Sequence, residues 1–329
     1  MRSRLPPIRL IRSETIVCAA VLAGLGVYAH WMPRTDSTAP TSTALPGGTA
    51  EVAIPASFRN GFGLTMVWVP AQSVVMGSRT ADAAPDERPH VAEIGHGFWI
   101  ASTEVTRAQW ARVLSSAPWR NQDDAVPPTS SKEAGAADSF ASGEVAASGM
   151  TWSEAVTFCE ALTVREWASR ALPDGHVYRL PTEAEWELAC RAGSEGDYCC
   201  HVVALPSYAV YADARDGAHP HRVASRRANA WGLFDMHGNV WEWCLDAAAT
   251  RDTGRTVEVV TDTYRNGAFD PCGRVGNERV CRGGSFAYSA PYLRSANRMA
   301  CAPDTRGTDL GLRVVLARST TVPASRRER

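Results

Sequence analysis

Lysine is almost missing from this chain: Lys132 is the only one among 34 basic residues. Arginine carries nearly all the positive charge, and since GC-rich coding and a demand for planar, bidentate cations both produce that bias, it assigns no function. A charge imbalance is missing too. Asp and Glu total 35, the formal net charge is −1, and no basic stripe with interleaved aromatics appears outside residues 282–313, so nucleic acid is not an expected partner. The sequence contains no CxxC, no HExxH, no phosphate-cradling glycine loop and no Ser-His-Asp order. Structural zinc, zinc-dependent hydrolysis, nucleotide chemistry and triad catalysis therefore have no residues to rest on. No repeat of about 20–50 residues is visible either.

What is present is a globular composition, 45% hydrophobic with 11 Trp in 329 residues, ample for a sizeable core. Arg2, Arg4, Arg9 and Arg12 precede an apolar run from Thr15 to Ala29, the pattern of a signal peptide or an N-terminal membrane anchor over residues 1–32. The run approaches the roughly 17–25 residues of a single span, and we favour an uncleaved anchor over residues 13–32. The chain is expected to be exported, either held to the membrane by that segment or periplasmic or extracellular after cleavage. Residues 33–55, rich in Thr, Ser, Pro and Gly, read as a linker, residues 56–318 as one folded domain, and residues 319–329 as a basic tail.

Eight cysteines follow the leader, at positions 159, 190, 199, 200, 244, 272, 281 and 301. An even count in an exported chain favours disulfides. Cys272 and Cys281, bracketing a turn-rich stretch, are the expected pair, and closing so short a loop is worth about 2–3 kcal/mol in the chain-entropy model.

Residues 62–77 predict two short strands around Pro70, and Phe98-Trp99-Ile100 a third. Three helices announce themselves by one device, a Thr answered three residues later by Glu or Gln: Thr106 with Gln109, Thr151 with Glu154, and Thr182 with Glu185. Capping and dipole compensation account for Glu183, Glu185 and Glu187 better than acid–base chemistry. Residues 118–149 have no sustained period and read as a long loop. Beyond Gly193 come short strand candidates and turns, including 202–212 and 230–246, and an alternating run from Leu312 to Leu316. A few helices followed by glycine-rich β structure predict an α+β fold. From Arg282 to Arg313, arginines 294, 298, 306 and 313 stand among Tyr288, Tyr292 and Asn297 after the Gly283-Gly284 pair. That composition suits a polar cavity or a solvated arginine-rich loop.

Several long phrases give this pattern a family. YRLPTEAEWELACRAG (178–193), NAWGLFDMHGNVWEWCLD (229–246), RGGSF with LRSANR and GLRVV, and the upstream MVWVPAQSVVMGS and FWIASTEVTRAQW together resemble the formylglycine-generating enzyme, or sulfatase-modifying-factor, family. The resemblance covers essentially the whole folded region. It implies that family's variant of the C-type-lectin-like fold, with little regular secondary structure. It also implies a cavity with Trp241, Ser285, Tyr288, Arg294 and Arg298 as substrate-binding residues, and a structural calcium held by Asp235, Gly238, Val240 and Glu242.

The enzymes of that family use two cysteines just after the GGS motif to hold copper. Those positions fall here on Tyr288 and about Leu293, neither of which supplies the soft sulfur that copper(I) prefers. Copper and the formylglycine reaction are accordingly not expected, unless the fold brings Cys281 and Cys301 together. His201, His219, His221 and His237 read as loop histidines. Two functions are compatible with the sequence: a module binding a protein, peptide or small molecule in the cell envelope, or an oxidoreductase of the same family modifying a protein or peptide.

Overall fold

The structure is a computed structural model describing residues 56–80, 83–120, 143–214, 219–254 and 256–319. The expected leader, anchor and linker, and the tail beyond its first residue, lie outside the described residues. Among those described, no helix is long and apolar enough to cross a membrane.

All three capping predictions hold. Helix α1 (Arg107–Leu114), α2 (Trp152–Ala168) and α3 (Glu183–Arg191) each begin after a threonine in extended geometry. Its hydroxyl accepts from the backbone N–H three residues on, while the Gln or Glu there accepts the threonine's own N–H. Ala155, Phe158, Cys159 and Leu162 form the buried face of α2, and Phe158 stacks on Trp110 of α1 with ring centroids 5.1 Å apart. Every residue of α3 is buried, three glutamates and an arginine included, far more than its periodicity announces. The helix stops at Ala192, which takes a left-handed φ of 46° before Gly193.

The first sheet is antiparallel and orders its strands β1 (Ser57–Arg59), β2 (Thr65–Val69), β5 (Phe98–Ala101), β13 (Val315–Arg318) and β6 (His176–Arg179). The two strands expected around Pro70 are β2 and β3 (Gln72–Met76); β3 joins β4 (His90–Ile94) and β9 (Ala268–Phe269) in a small second sheet. The third sheet runs β11 (Met299–Cys301), β10 (Glu278–Arg282), β7 (Trp241–Asp252), β12 (Leu310–Gly311), with β8 (Val257–Val260) on the far end of β7. The core packs between sheets and helices, with Trp110, Trp186, Trp241 and Trp243 among its fully buried side chains.

Three expectations need correction. Residues 202–212 are not a strand: 3-10 turns occupy Val202–Ser207 and Ala212–Ala214, in keeping with Pro206, which has no N–H for a sheet ladder. Of the predicted strand 230–246 only the part from Trp241 onward is extended, and turns fill the rest. Of the run 312–316 only Val315 and Leu316 are in a strand, and Arg313, between β12 and β13, has its guanidinium in the interior.

Candidate functional site

The segment after Gly283-Gly284 is placed by close backbone approach. Gly284 has φ 74°, and a Cβ there would lie 2.7 Å from Leu293 Cδ1. Gly238, at φ 103°, brings its turn against Val210, whose carbonyl oxygen would be 2.2 Å from an added Cβ. Only glycine satisfies both demands at either position. The turn at 238–239 then anchors the segment, since the Phe286 N–H donates to the Asn239 carbonyl at 2.9 Å.

Trp241, Ser285 and Tyr288, three of the residues expected to line a cavity, come together. The Ser285 hydroxyl donates to Asp309 Oδ2 at 2.7 Å and accepts from the Ala287 N–H. The Trp241 N–H donates to the Asp309 carbonyl at 2.8 Å. Tyr288 stands edge-on to Trp241, centroids 5.4 Å apart, and to Tyr292 at 5.2 Å. Partial burial, then the charge of Asp309, pushes the Tyr288 phenol above its ordinary range. Trp241 is buried and its indole N–H lacks a partner among the described residues, so the aromatic stack has an unsatisfied donor at its base. Leu293, the other position expected for a thiol, is wholly buried among Tyr198, Leu205, Ala209 and Tyr211. Its carbonyl accepts from His237 Nδ1 at 2.7 Å, while His237 Nε2 accepts from the Cys199 N–H at 3.0 Å. His237 is thus a buried cross-link with both ring nitrogens engaged.

Arg294 and Arg298 do not join this group. Arg294 binds both oxygens of Glu87, at 2.6 and 2.8 Å. Arg298 binds both oxygens of Glu183, at 2.7 and 2.8 Å, and the carbonyl of Val259, with its guanidinium 4.0 Å from the Tyr264 ring centre. Arg282, fully buried, pairs with Glu187 and Glu183, and Arg191 joins Glu187 to the Gly77 carbonyl. The expected ligand-facing arginines are therefore interior struts, because buried bidentate ion pairs already fill their donors. The glutamates of α3 serve chiefly as their counter-charges: Glu185 caps, while Glu183 and Glu187 neutralise guanidinium groups.

The expected calcium ligands do not form a calcium cage as placed. Both Glu242 oxygens are held by Arg313, at 2.7 and 2.9 Å, and Oε2 also accepts from the Trp186 indole at 2.7 Å. A guanidinium thus supplies the positive charge that a cation would bring. Asp235 accepts from the Ala224 N–H and is pushed by burial to about 6. Glu104 beside it is raised well above the carboxylate range, first by burial and then by the charge of Asp235. Asp235 Oδ1 and Glu104 Oε2 have no hydrogen-bond donor among the described residues, an arrangement that one shared proton satisfies.

Asp246 is a further buried carboxyl that sequence reasoning passed over. It accepts from the N–H groups of Glu183 and Gly273 at 2.7 and 2.6 Å; burial and the adjacent Glu183 charge raise it to about 7. Its folded value lies above the ordinary 3.8, so the stabilisation is full below about pH 4 and is lost as pH rises through about 7. Asp235 and Glu104 act in the same direction. Melting temperature is therefore expected to fall by several degrees between pH 5 and 8. Asp246→Asn should flatten that profile, and an equally steep profile in the variant would remove Asp246 from the account.

The eight cysteines among the described residues are unpaired in the structure, Cys272 and Cys281 included. Cys272 lies near Asp246 and Arg179, whereas Cys281 lies near Cys301. The reason is register: β10 pairs antiparallel with β11, Cys281 opposite Met299 and Arg279 opposite Cys301. Cys281 and Cys301 therefore share a face as diagonal neighbours. Nothing in the sequence spacing signals that pairing.

Mixed sheets with little helix, a buried arginine–glutamate interior and a GGS segment closing over an aromatic stack define a lectin-like scaffold of the formylglycine-generating type. Residues 53–318 match the family described as the Sulfatase-modifying factor enzyme 1-like domain, and the chain belongs to that family. The formylglycine-generating enzyme of Thermomonospora curvata is 31% identical over 183 residues, covering 50% of this chain and 53% of that protein. The hercynine oxygenase of Mycolicibacterium thermoresistibile is 30% identical over 308 residues, covering 83% of this chain and 61% of that protein. The chain thus spans about half the length of the formylglycine-generating enzymes it matches. Among solved structures, Treponema denticola variable protein 1 superposes with a TM-score of 0.62 at 26% identity, covering 80% of this chain and 99% of that one. PvdO from Pseudomonas aeruginosa does so at 0.59 and 23% identity, with coverage of 80% and 99%. These likenesses establish the expected fold, the family's C-type-lectin-like variant.

Proposed function

We propose that this chain is a ligand- or protein-binding module of the cell envelope that uses the family scaffold without the family's copper-dependent formylglycine chemistry. The observation that carries the reading is the composition of the segment after Ser285. Tyr288 stands between Trp241 and Tyr292, and buried Leu293 packs in a hydrocarbon cluster. Neither side chain offers a thiolate to copper(I). Partly exposed tyrosines packed edge-to-face near the Asp309 carboxylate suit instead the capture of a peptide or small molecule, with Tyr292 about half exposed as the outer contact. The structural calcium has no place in this proposal, since Arg313 occupies Glu242. Calcium addition or chelation should leave the melting temperature within about a degree, and a calcium-dependent rise would restore the metal to the site.

The purified chain, incubated under oxygen with copper and a sulfatase-type Cys-x-Pro-x-Arg peptide, is expected to yield no aldehyde; aldehyde formation would overturn the proposal. The second reading, an oxidoreductase acting on a protein or peptide, is favoured by two observations. The relatives are named as a formylglycine-generating enzyme and a hercynine oxygenase, and Cys281 and Cys301 lie together. Stoichiometric copper or iron in the purified chain would support that reading and count against the module.

A further inference from the structure

We propose that Cys281 and Cys301 form a reversible dithiol–disulfide couple, with partly exposed Cys301 as the attacking thiol and buried Cys281 as the resolving thiol, and with a disulfide oxidant as the reacting substrate. This goes beyond the binding proposal and does not depend on it.

Three features carry the inference. The first is placement: the two residues sit on one face of adjacent strands, two positions apart in register. The second is asymmetry of access. Cys281 is fully buried within the cluster that contains Trp241 and Trp243, and Cys301 packs on the outside of that cluster, partly exposed. An external reagent can reach one sulfur and not the other. The third is electrostatic. The neighbouring Cys281 thiol holds the Cys301 thiol below its ordinary range, while burial pushes the Cys281 thiol well up. The accessible sulfur is the one that ionises, as a nucleophilic thiol requires.

The chemistry balances with the oxidant named. The Cys301 thiolate attacks one sulfur of an external disulfide; the S–S bond breaks, a mixed disulfide forms on Cys301, and the leaving thiolate takes up a proton. Cys281 then loses its proton and attacks Cys301 Sγ, forming the internal disulfide and releasing the second external thiol. One external disulfide is reduced to two thiols as the protein dithiol is oxidised. The bridge would tie β10 to β11. Tyr288 and Met299 pack beside the same cluster, which puts the couple next to the aromatic stack.

The full chain is equilibrated in buffers of varied reduced-to-oxidised glutathione ratio, acid-quenched, alkylated and mapped by mass spectrometry of its peptides. The expected result is a Cys281–Cys301-linked peptide that appears and disappears with one midpoint, while Cys272 stays alkylatable throughout. Cys281→Ser should instead accumulate a glutathione adduct on Cys301, because the resolving sulfur is gone. Absence of the linked peptide at every ratio in wild-type protein that keeps its native circular dichroism would overturn the couple. So would a Cys272–Cys281 link in its place. A Cys281→Ser variant, natively folded, that takes its adduct elsewhere would overturn the role of Cys301. The wild-type mapping stands even if that variant does not fold.

Discussion

Arg298→Ala is expected to lower the melting temperature by about 6–20 °C, from the roughly 3–5 kcal/mol lost when one partner of a buried ion pair is removed and about 2–4 °C per kcal/mol in a domain of this size. The guanidinium makes five contacts: two to Glu183, and one each to the carbonyls of Val259 and Asp86 and to the Thr261 hydroxyl. Its removal leaves the Glu183 carboxylate in the interior with Arg282 alone, at 3.3 Å. It also frees the carbonyl of Val259, at 2.8 Å from the guanidinium, without a donor. Arg298→Lys should recover only part of the loss, because one ammonium cannot reproduce the bidentate geometry. Glu183→Gln in the Arg298→Ala background should recover some, since it removes the buried charge. Thermal melts of the four proteins decide the matter. An unchanged melting temperature with altered ligand binding would return Arg298 to the substrate-facing role that its sequence context suggested.

Arg313→Met is expected to be at least as damaging, with a loss of about 3–5 kcal/mol and a shift of similar size. Arg313 is fully buried and joins Glu242 of β7, the Ala101 carbonyl of β5 and the Phe234 carbonyl. It thereby ties the first sheet to the third. It is also the nearest counter-charge for Glu104 and Asp235, so its loss leaves three acidic groups facing one another. The Arg313→Met, Glu242→Gln double variant should melt above the single variant, most clearly at high pH where Glu104 and Asp235 are driven to ionise. A single variant no less stable than wild type would mean that Arg313 is not the keystone of this interior. The double-variant comparison separates lost attraction from stranded charge.

Local devices were legible in the sequence and distant ones were not. The capping residues of α1, α2 and α3 lie three positions apart, so their hydrogen bonds can be read from spacing. The strands around Pro70 are equally local. The fates of Arg294 and Arg298 depended on carboxylates 207 and 115 residues away, and no periodicity reports on such partners. Arginines rich in sequence among tyrosines were therefore placed in a cavity when they belong to the interior. Thiol neighbours are equally distant in sequence: spacing draws attention to Cys272 with Cys281, whereas strand register places Cys301 on the same face as Cys281. The family phrases succeeded where spacing failed because several of them, in order, fix a fold as a whole.

The position of β13 bears on how the molecule comes to be folded. This strand, from residues 315–318, lies between β5 and β6 and pairs with both. Until it is made, β5 and β6 each present an unpaired edge, and the Arg313 clamp does not exist. Synthesis of the preceding three hundred or so residues thus yields a chain that cannot close its first sheet, and folding must wait for contacts of very long sequence separation. Ending the chain just before Val315 should remove the middle of a sheet rather than trim its border, leaving two exposed strand edges prone to pair with other chains.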